Sequence, residues 1–226
     1  MSNVPQAIGV IMDGNRRWAK ERNLPSLEGH RAGFEKMREL MQWSRDAGIK
    51  EVTIYAFSTE NWNRAPEEVA YLMELFNAGF KTLLKDIREQ EVRIRFVGDR
   101  DLVEEKLRSK MEEAEKESAG GEAGTLIIAF SYGGRPEILA ATNKLLQEGR
   151  KEVTEADFKK AMWSEGLLDP DLIIRTGGEH RLSNFLTWQS VYSELFFTDT
   201  KWPDFSKEEF TSILTDFASR ERRLGK

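Results

Sequence analysis

Asp13, Gly14, Asn15, Arg16 and Arg17 follow directly on an apolar run, and this combination suits a phosphate-sized ligand. The run Ala7–Met12 has strand length, and Gly14 and Asn15 both tolerate positive φ, so the segment reads as a strand-to-helix turn. Such a turn aims free backbone N–H groups and the positive end of a helix dipole at one point, and two arginines add fork-shaped donors. Asp13 is the odd member. A carboxylate beside a phosphate repels it unless a divalent cation lies between them or the acid is protonated. A helix N-terminus with an Asp cap and two solvated arginines is the plainer alternative.

Three further polar clusters follow apolar runs: Ser58-Thr-Glu-Asn-Trp-Asn-Arg64, Tyr132-Gly-Gly-Arg135 and Arg175-Thr-Gly-Gly-Glu-His-Arg-Leu-Ser183. The elements that must position them alternate between strands and helices. Strands are expected at Ala7–Met12, Lys50–Phe57, Val92–Val97, Thr125–Phe130, Asp171–Ile174 and Glu194–Phe197, from their β-branched and aromatic content. Helical spacing marks Glu28–Ala47, Pro66–Arg88, a charged segment from about Asp101 to Lys116, a helix ending at Gln147, a short one from Thr154, and one opened by Ser206. The pattern predicts an α/β fold: a single domain over residues 1–226 with a mostly parallel six-stranded central sheet flanked by helices. In such sheets ligands bind beyond the carboxyl ends of the strands, which is where all four clusters fall. Arg16, Arg17, Arg64, Arg135, Arg175 and Arg181 are too many for a single monophosphate, so more than one phosphate group is expected.

Composition removes other classes. The formal net charge of -5 lacks the basic surplus that nucleic-acid binding uses, so no nucleic-acid partner is expected and any anion site must be local. With no cysteine, thiolate catalysis and cysteine-based zinc or iron–sulfur sites are excluded. His30 and His180 alone cannot build a histidine-rich metal site. No signal-like start and no membrane-spanning apolar run is present, so a soluble, cytoplasmic protein is expected, with peripheral membrane contact left open.

The motifs Met12-Asp-Gly-Asn-Arg-Arg-Trp-Ala-Lys20, Gly29-His-Arg-Ala-Gly33, Tyr55-Ala-Phe-Ser-Thr-Glu-Asn-Trp-Asn-Arg64, Tyr132-Gly-Gly-Arg135, Asp171 to Phe185 and Glu194 to Asp204 together resemble the cis-prenyltransferases, typified by bacterial undecaprenyl diphosphate synthase. They run in family order over nearly the whole chain. The resemblance implies a homodimeric enzyme that condenses isopentenyl diphosphate onto an allylic diphosphate such as farnesyl diphosphate, using Mg²⁺. It implies an allylic diphosphate site at Gly14, Asn15, Arg16, Arg17, Trp18 and His30 with Arg64 nearby, and an isopentenyl diphosphate site at Arg175, Arg181 and Ser183. Asp13 and Glu194 resemble the Mg²⁺ carboxylates, which answers the puzzle of an acid beside phosphates. Ser58 and Asn61 resemble groups near the reacting carbons, so Asp13, Ser58 and Asn61 are the expected catalytic residues. The helix from Pro66, too apolar for one narrow stripe, and Trp62 are expected to line a dry tunnel for the growing chain, core packing being the alternative. Arg223-Leu224-Gly225 resembles the motif that reaches toward a partner subunit's site, and product release gives a reason for membrane contact.

Three positions depart from the family pattern. Arg16 stands where several bacterial members have glycine, and Ser26 where some offer a further arginine. Phe130 stands at an expected strand end where long-chain enzymes have a small residue, so a medium or shortened product is expected. Two rivals were weighed on the same residues. A non-catalytic subunit would have lost chemistry-bearing positions, yet Asp13, Asn61, Arg175, Arg181 and Glu194 are present. An Asp-x-Asp phosphatase needs a second acid where this chain has Asn15.

Overall fold

The computed structural model describes residues 4–220, the side chains at 81, 87 and 88 apart. One six-stranded sheet, all of its strands parallel, runs through it in the order β3-β4-β2-β1-β5-β6. These strands are β1 (Ala7–Ile11), β2 (Glu51–Ser58), β3 (Arg93–Val97), β4 (Thr125–Tyr132), β5 (Leu172–Arg175) and β6 (Glu194–Phe197). The helices are α1 (Asn15–Glu21), α2 (Ser26–Asp46), α3 (Pro66–Gln90), α4 (Glu105–Glu117), α5 (Gly134–Gln147), α6 (Glu155–Ala161) and α7 (Lys207–Ser219).

Continuously apolar strands exist here because both sheet faces are covered. Every residue of β1 and β5 is buried. On one face Ile8, Val10, Ile54, Ile128, Leu172 and Ile174 pack with Leu40, Phe80, Phe210 and Phe217 from helices α2, α3 and α7. On the other, Ile11, Ile127, Ala129 and Ile173 pack with Phe185 and Leu186. Between β1 and β5 the strand order reverses: β2 and β4 lie to one side of β1, β5 and β6 to the other. Such a switch point leaves a crevice beyond the carboxyl ends.

Two expectations of the sequence need correction. The charged segment from Asp101 begins as a 3-10 turn, Arg100–Leu102, and α4 starts only at Glu105. The cause is local: the Asp99 side chain accepts the Asp101 N–H at 3.0 Å and Val103 is extended, so the two turns cannot merge. Phe130 is inside β4, which runs on to Tyr132 through Ser131 at φ 50. There the β2–β4 register shifts between Tyr55 and Ser58.

Glycine spacing sets how α1 meets α2. Gly29 and Gly33 lie one turn apart on α2, and a Cβ on Gly29 would stand 2.1 Å from the Asn15 carbonyl oxygen, one on Gly33 2.3 Å from Asn15 Oδ1. The first turn of α1 therefore presses against bare α2 backbone. Gly29→Ala should cost about 1–3 kcal/mol in urea unfolding, the usual range for overpacking. Gly120→Ala, where a Cβ meets nothing within 4 Å, serves as the neutral control.

Candidate active site

Asp13 follows β1 at the switch point, and two arginines hold its carboxylate. Arg17 Nη2 donates to Oδ1 at 3.1 Å, and Arg175 Nη2, from the end of the neighbouring β5, donates to Oδ2 at 2.9 Å. The pairing of Ile11 with Arg175 in the β1–β5 register brings these side chains together. The Arg175 side chain is only 5% exposed. Its Nη1 donates to Ser183 Oγ at 2.7 Å and to the Arg181 carbonyl, while its Nε has no partner. Ser183 and Asn184 both adopt positive φ, 50 and 66, which folds that loop back over Arg175. Thr176 Oγ1 and the Trp202 N–H donate to the Asp13 carbonyl at 2.8 and 3.0 Å, fixing the turn from behind.

Gly14 carries the turn at φ 105 into α1. Asn15 Nδ2 donates to the Met12 carbonyl at 3.1 Å, leaving Oδ1 buried without a partner. Close packing on Gly29 and Gly33 sets His30 beside this turn, and its Nε2 is likewise buried and unpartnered. Burial lowers the His30 pKa to about 4, Arg64 and Arg16 push the same way, and Glu68 opposes them. Glu68, on the first turn of α3, is a residue the sequence reading missed. Its Oε1 accepts from Arg64 Nη1 at 2.9 Å and from Arg16 Nη1 at 3.3 Å. The sequence signal was the i,i+4 spacing of Arg64 and Glu68 across Pro66.

Asp13, Asn15, His30, Ser58, Asn61, Arg64, Arg175 and Ser183 stand at the polar part of one cavity of about 670 Å³. Ser58 and Asn61 are locked to each other, the Ser58 N–H donating to Asn61 Oδ1 at 3.1 Å. Glu60 and Asn184 line it as well, and the rest of the wall is mostly apolar: Phe34 and Met37 of α2, Leu72, Leu75, Phe76, Phe80 and Leu83 of α3, and Ile54, Phe96 and Ile128 of the sheet. The α3 face thus lines a cavity as well as packing in the core. A second, more open cavity of about 880 Å³ is walled by Gly14, Arg16, Arg17, Lys20, Ser26, His30 and Arg64, and shares Asp13 with the first.

Other expected site residues stand apart. Trp18 Nε1 donates to Asp204 Oδ1 at 2.6 Å, with the Arg22 guanidinium 4.3 Å over its ring, and it lines neither cavity. Trp62 lines neither; it donates to Ser131 Oγ at 2.9 Å and lies edge-on to Phe57. The Arg181 guanidinium is 59% exposed and pairs with Glu179. Phe130 is one layer behind the wall, edge-on to Phe76 at 4.7 Å.

Glu194 and Asp13 are not brought together within one chain. Glu194 pairs in register with Leu172, itself level with Ile8. It therefore lies at the amino end of the sheet, three residues, or ~10 Å, below the level of Ile11 and two strands over from β1. Its carboxylate accepts from Arg220, whose guanidinium lies 4.0 Å over Phe196. Among the described residues no group of three His, Cys, Asp or Glu side chains could hold a metal. Arg223-Leu224-Gly225 lies outside the described residues.

A cluster of arginines and unpartnered buried polar atoms beside Asp13 opens into a largely apolar cavity, an arrangement whose chemistry suits a molecule with an anionic head and a hydrocarbon tail. Comparison with known proteins is specific. A family described as "Putative undecaprenyl diphosphate synthase" matches residues 11–225. An isoprenyl transferase of Thermotoga maritima is 46% identical, covering 98% of this chain and 97% of that protein. A ditrans,polycis-undecaprenyl-diphosphate synthase of Pseudomonas putida, described as (2E,6E)-farnesyl-diphosphate specific, is 43% identical over 100% of this chain and 92% of its own. Among solved structures, lavandulyl diphosphate synthase from Lavandula x intermedia in complex with dimethylallyl diphosphate superposes with TM-score 0.94 at 31% identity over 100% of both chains. A probable undecaprenyl diphosphate synthase from Campylobacter jejuni gives 0.84 at 33% identity over 98% and 99%. The chain belongs to this family and is a cis-prenyltransferase.

The position of His30 gives a direct test of the site's electrostatics. Because its pKa falls from 6.5 to about 4 on folding, the unfolded chain binds the extra proton first, so this residue's contribution to stability is lost as pH drops through that window. An NMR titration of the His30 ring should show a midpoint near 4 in the free protein. Adding inorganic pyrophosphate should move the midpoint upward, since an anion beside the ring favours its charged form. A midpoint near 6.5 that ignores pyrophosphate would contradict the placement.

Proposed function

We propose that the enzyme condenses isopentenyl diphosphate with farnesyl diphosphate as primer, giving a cis-polyprenyl diphosphate and diphosphate in a Mg²⁺-dependent reaction. The observation that supports this best is the continuity of the arginine-lined rim with the apolar cavity behind it. One substrate head needs cations and amides, the growing tail needs dryness, and both are present side by side.

In this reading the allylic head sits at Gly14, Asn15, Arg16, Arg17 and His30, with Arg64, and displaces Glu68 from the two arginines it now holds. The isopentenyl head sits at Arg175 and Ser183, with Arg181 turning from Glu179 to join them. The allylic C–O bond breaks with its electron pair leaving on the diphosphate, the isopentenyl double bond supplies the electrons for the new C–C bond, and a proton is lost from the adduct. Arginines aimed at the departing group stabilise the charge that grows there. Ser58 and Asn61 both line the cavity, and in this reading they orient that proton transfer.

The donors present fit a divalent cation held by Asp13, substrate oxygens and waters, the arrangement magnesium favours. Bound there, Mg²⁺ would offset charge on the leaving diphosphate. Glu194 of the same chain does not belong to that set. Edge strand β6, with exposed Val191, Tyr192 and Leu195 on and before it, supports a homodimer. No helix among the described residues is long and apolar enough to cross a membrane. A cytoplasmic enzyme that hands its product to a membrane surface is part of the proposal.

Incubation with farnesyl diphosphate and labelled isopentenyl diphosphate should yield butanol-extractable polyprenyl diphosphates with Mg²⁺ and none after chelation. Asn61→Ala should lower kcat by ~10²-fold, the usual contribution of a positioned proton-transfer group, with little change in either KM. Elongation in the absence of metal, or an Asn61→Ala enzyme with parental kcat, would contradict these assignments.

A further inference from the structure

Met37 of α2 and Leu83 of α3 line the apolar cavity, and the same two side chains also wall a small pocket of about 20 Å³. That pocket lies between the two helices, and Arg38 and Asp86 stand across it. They form a bidentate fork: Arg38 Nη2 donates to Asp86 Oδ1 at 2.9 Å, and Nε donates to Oδ2. Arg38 Nη1 is held as well, by Glu35 at 2.6 Å. The Asp86 side chain is 16% exposed and the Arg38 side chain 36%, so the carboxylate is the more withdrawn partner.

Resting on the elongation reading above, we propose that Arg38 and Asp86 form a latch across the closed end of the hydrocarbon cavity and set the length at which the product stops growing. At ~30 Å³ per carbon, the share of one liquid water, a five-carbon unit takes ~150 Å³. A cavity of about 670 Å³, part of it polar, then holds at most about four such units. The next unit must push Met37 and Leu83 aside and enter a space with no room for it. Met37 is unbranched and yields easily. The ion pair resists more, because a hydrocarbon tail that parts it takes the guanidinium away from Asp86, the more buried partner, and sets apolar surface against that carboxylate. Growth stops where the latch holds, so the pair governs product size while standing far from the reacting carbons.

The test uses the full chain with farnesyl diphosphate, excess isopentenyl diphosphate and Mg²⁺, with product length read by reversed-phase chromatography after dephosphorylation. Asp86→Ala should shift the dominant product longer by at least one five-carbon unit and leave the initial rate of the first addition unchanged. Asp86→Glu, which keeps the pair, should keep the parental distribution. If Asp86→Ala fails to fold, the isosteric Asp86→Asn carries the same expectation of longer products. A folded variant lacking the pair whose products are of parental length or shorter overturns the latch while leaving the elongation reading standing. Failure of the parent to incorporate label from any allylic primer overturns both.

Discussion

The ion pair between Asp13 and Arg175 ties the two halves of the sheet together at the switch point between β1 and β5. Arg175 is buried, so losing its carboxylate would strand a guanidinium among Ser183 and a backbone carbonyl, a loss of about 3 kcal/mol or more for pairs of this kind. The pair also decides the character of the rim. It leaves Arg16, Arg17 and Arg64 facing the same opening around a carboxylate already neutralised in part by its neighbours.

Everything else in the site follows from keeping that opening compact. Gly29 and Gly33 let α1 lie against α2, which brings Asn15 and His30 to the rim with buried atoms that lack partners in the protein. Buried polar groups without partners carry a desolvation cost, which a diphosphate bound as proposed would relieve. Burial lowers the His30 pKa, so in the proposed reading its ring meets the anion as a hydrogen-bonding group. Glu68 holds Arg16 and Arg64 in this structure, and the proposal has a substrate head take its place. Behind the rim, the change from arginine to phenylalanine within one cavity separates the part that handles charge from the part that handles hydrocarbon.

Much of this was legible in the chain. Apolar runs of strand length gave all six strands, and their carboxyl ends located the four polar clusters, because a sheet buried on both faces leaves no other role for polar residues there. The motifs assigned the family before any coordinates. What the sequence could not show was reach. Glu194 stands in a matching motif, yet the β5–β6 register carries it to the opposite end of the sheet from Asp13, and register is invisible in a linear string. Trp18 and Trp62 adjoin site residues in sequence but turn to Asp204 and Ser131, since a helix or 3-10 turn points neighbouring side chains in different directions. Glu68 reaches Arg64 through local spacing, but its bond to Arg16, like the Arg38–Asp86 pair, exists only because the packing of α3 brings the partners near.

Calorimetric titration of isopentenyl diphosphate into the parent and Asp13→Asn proteins, each with and without Mg²⁺, tests the heart of the matter. If Asp13 is the carboxylate that makes a metal ion the bridge to a diphosphate, the parent should bind far more tightly when Mg²⁺ is present. Asp13→Asn should lose that metal response while binding the metal-free ligand at least as well as the parent, because a repelling charge is gone. A variant that keeps the full Mg²⁺ response would contradict the role given to Asp13.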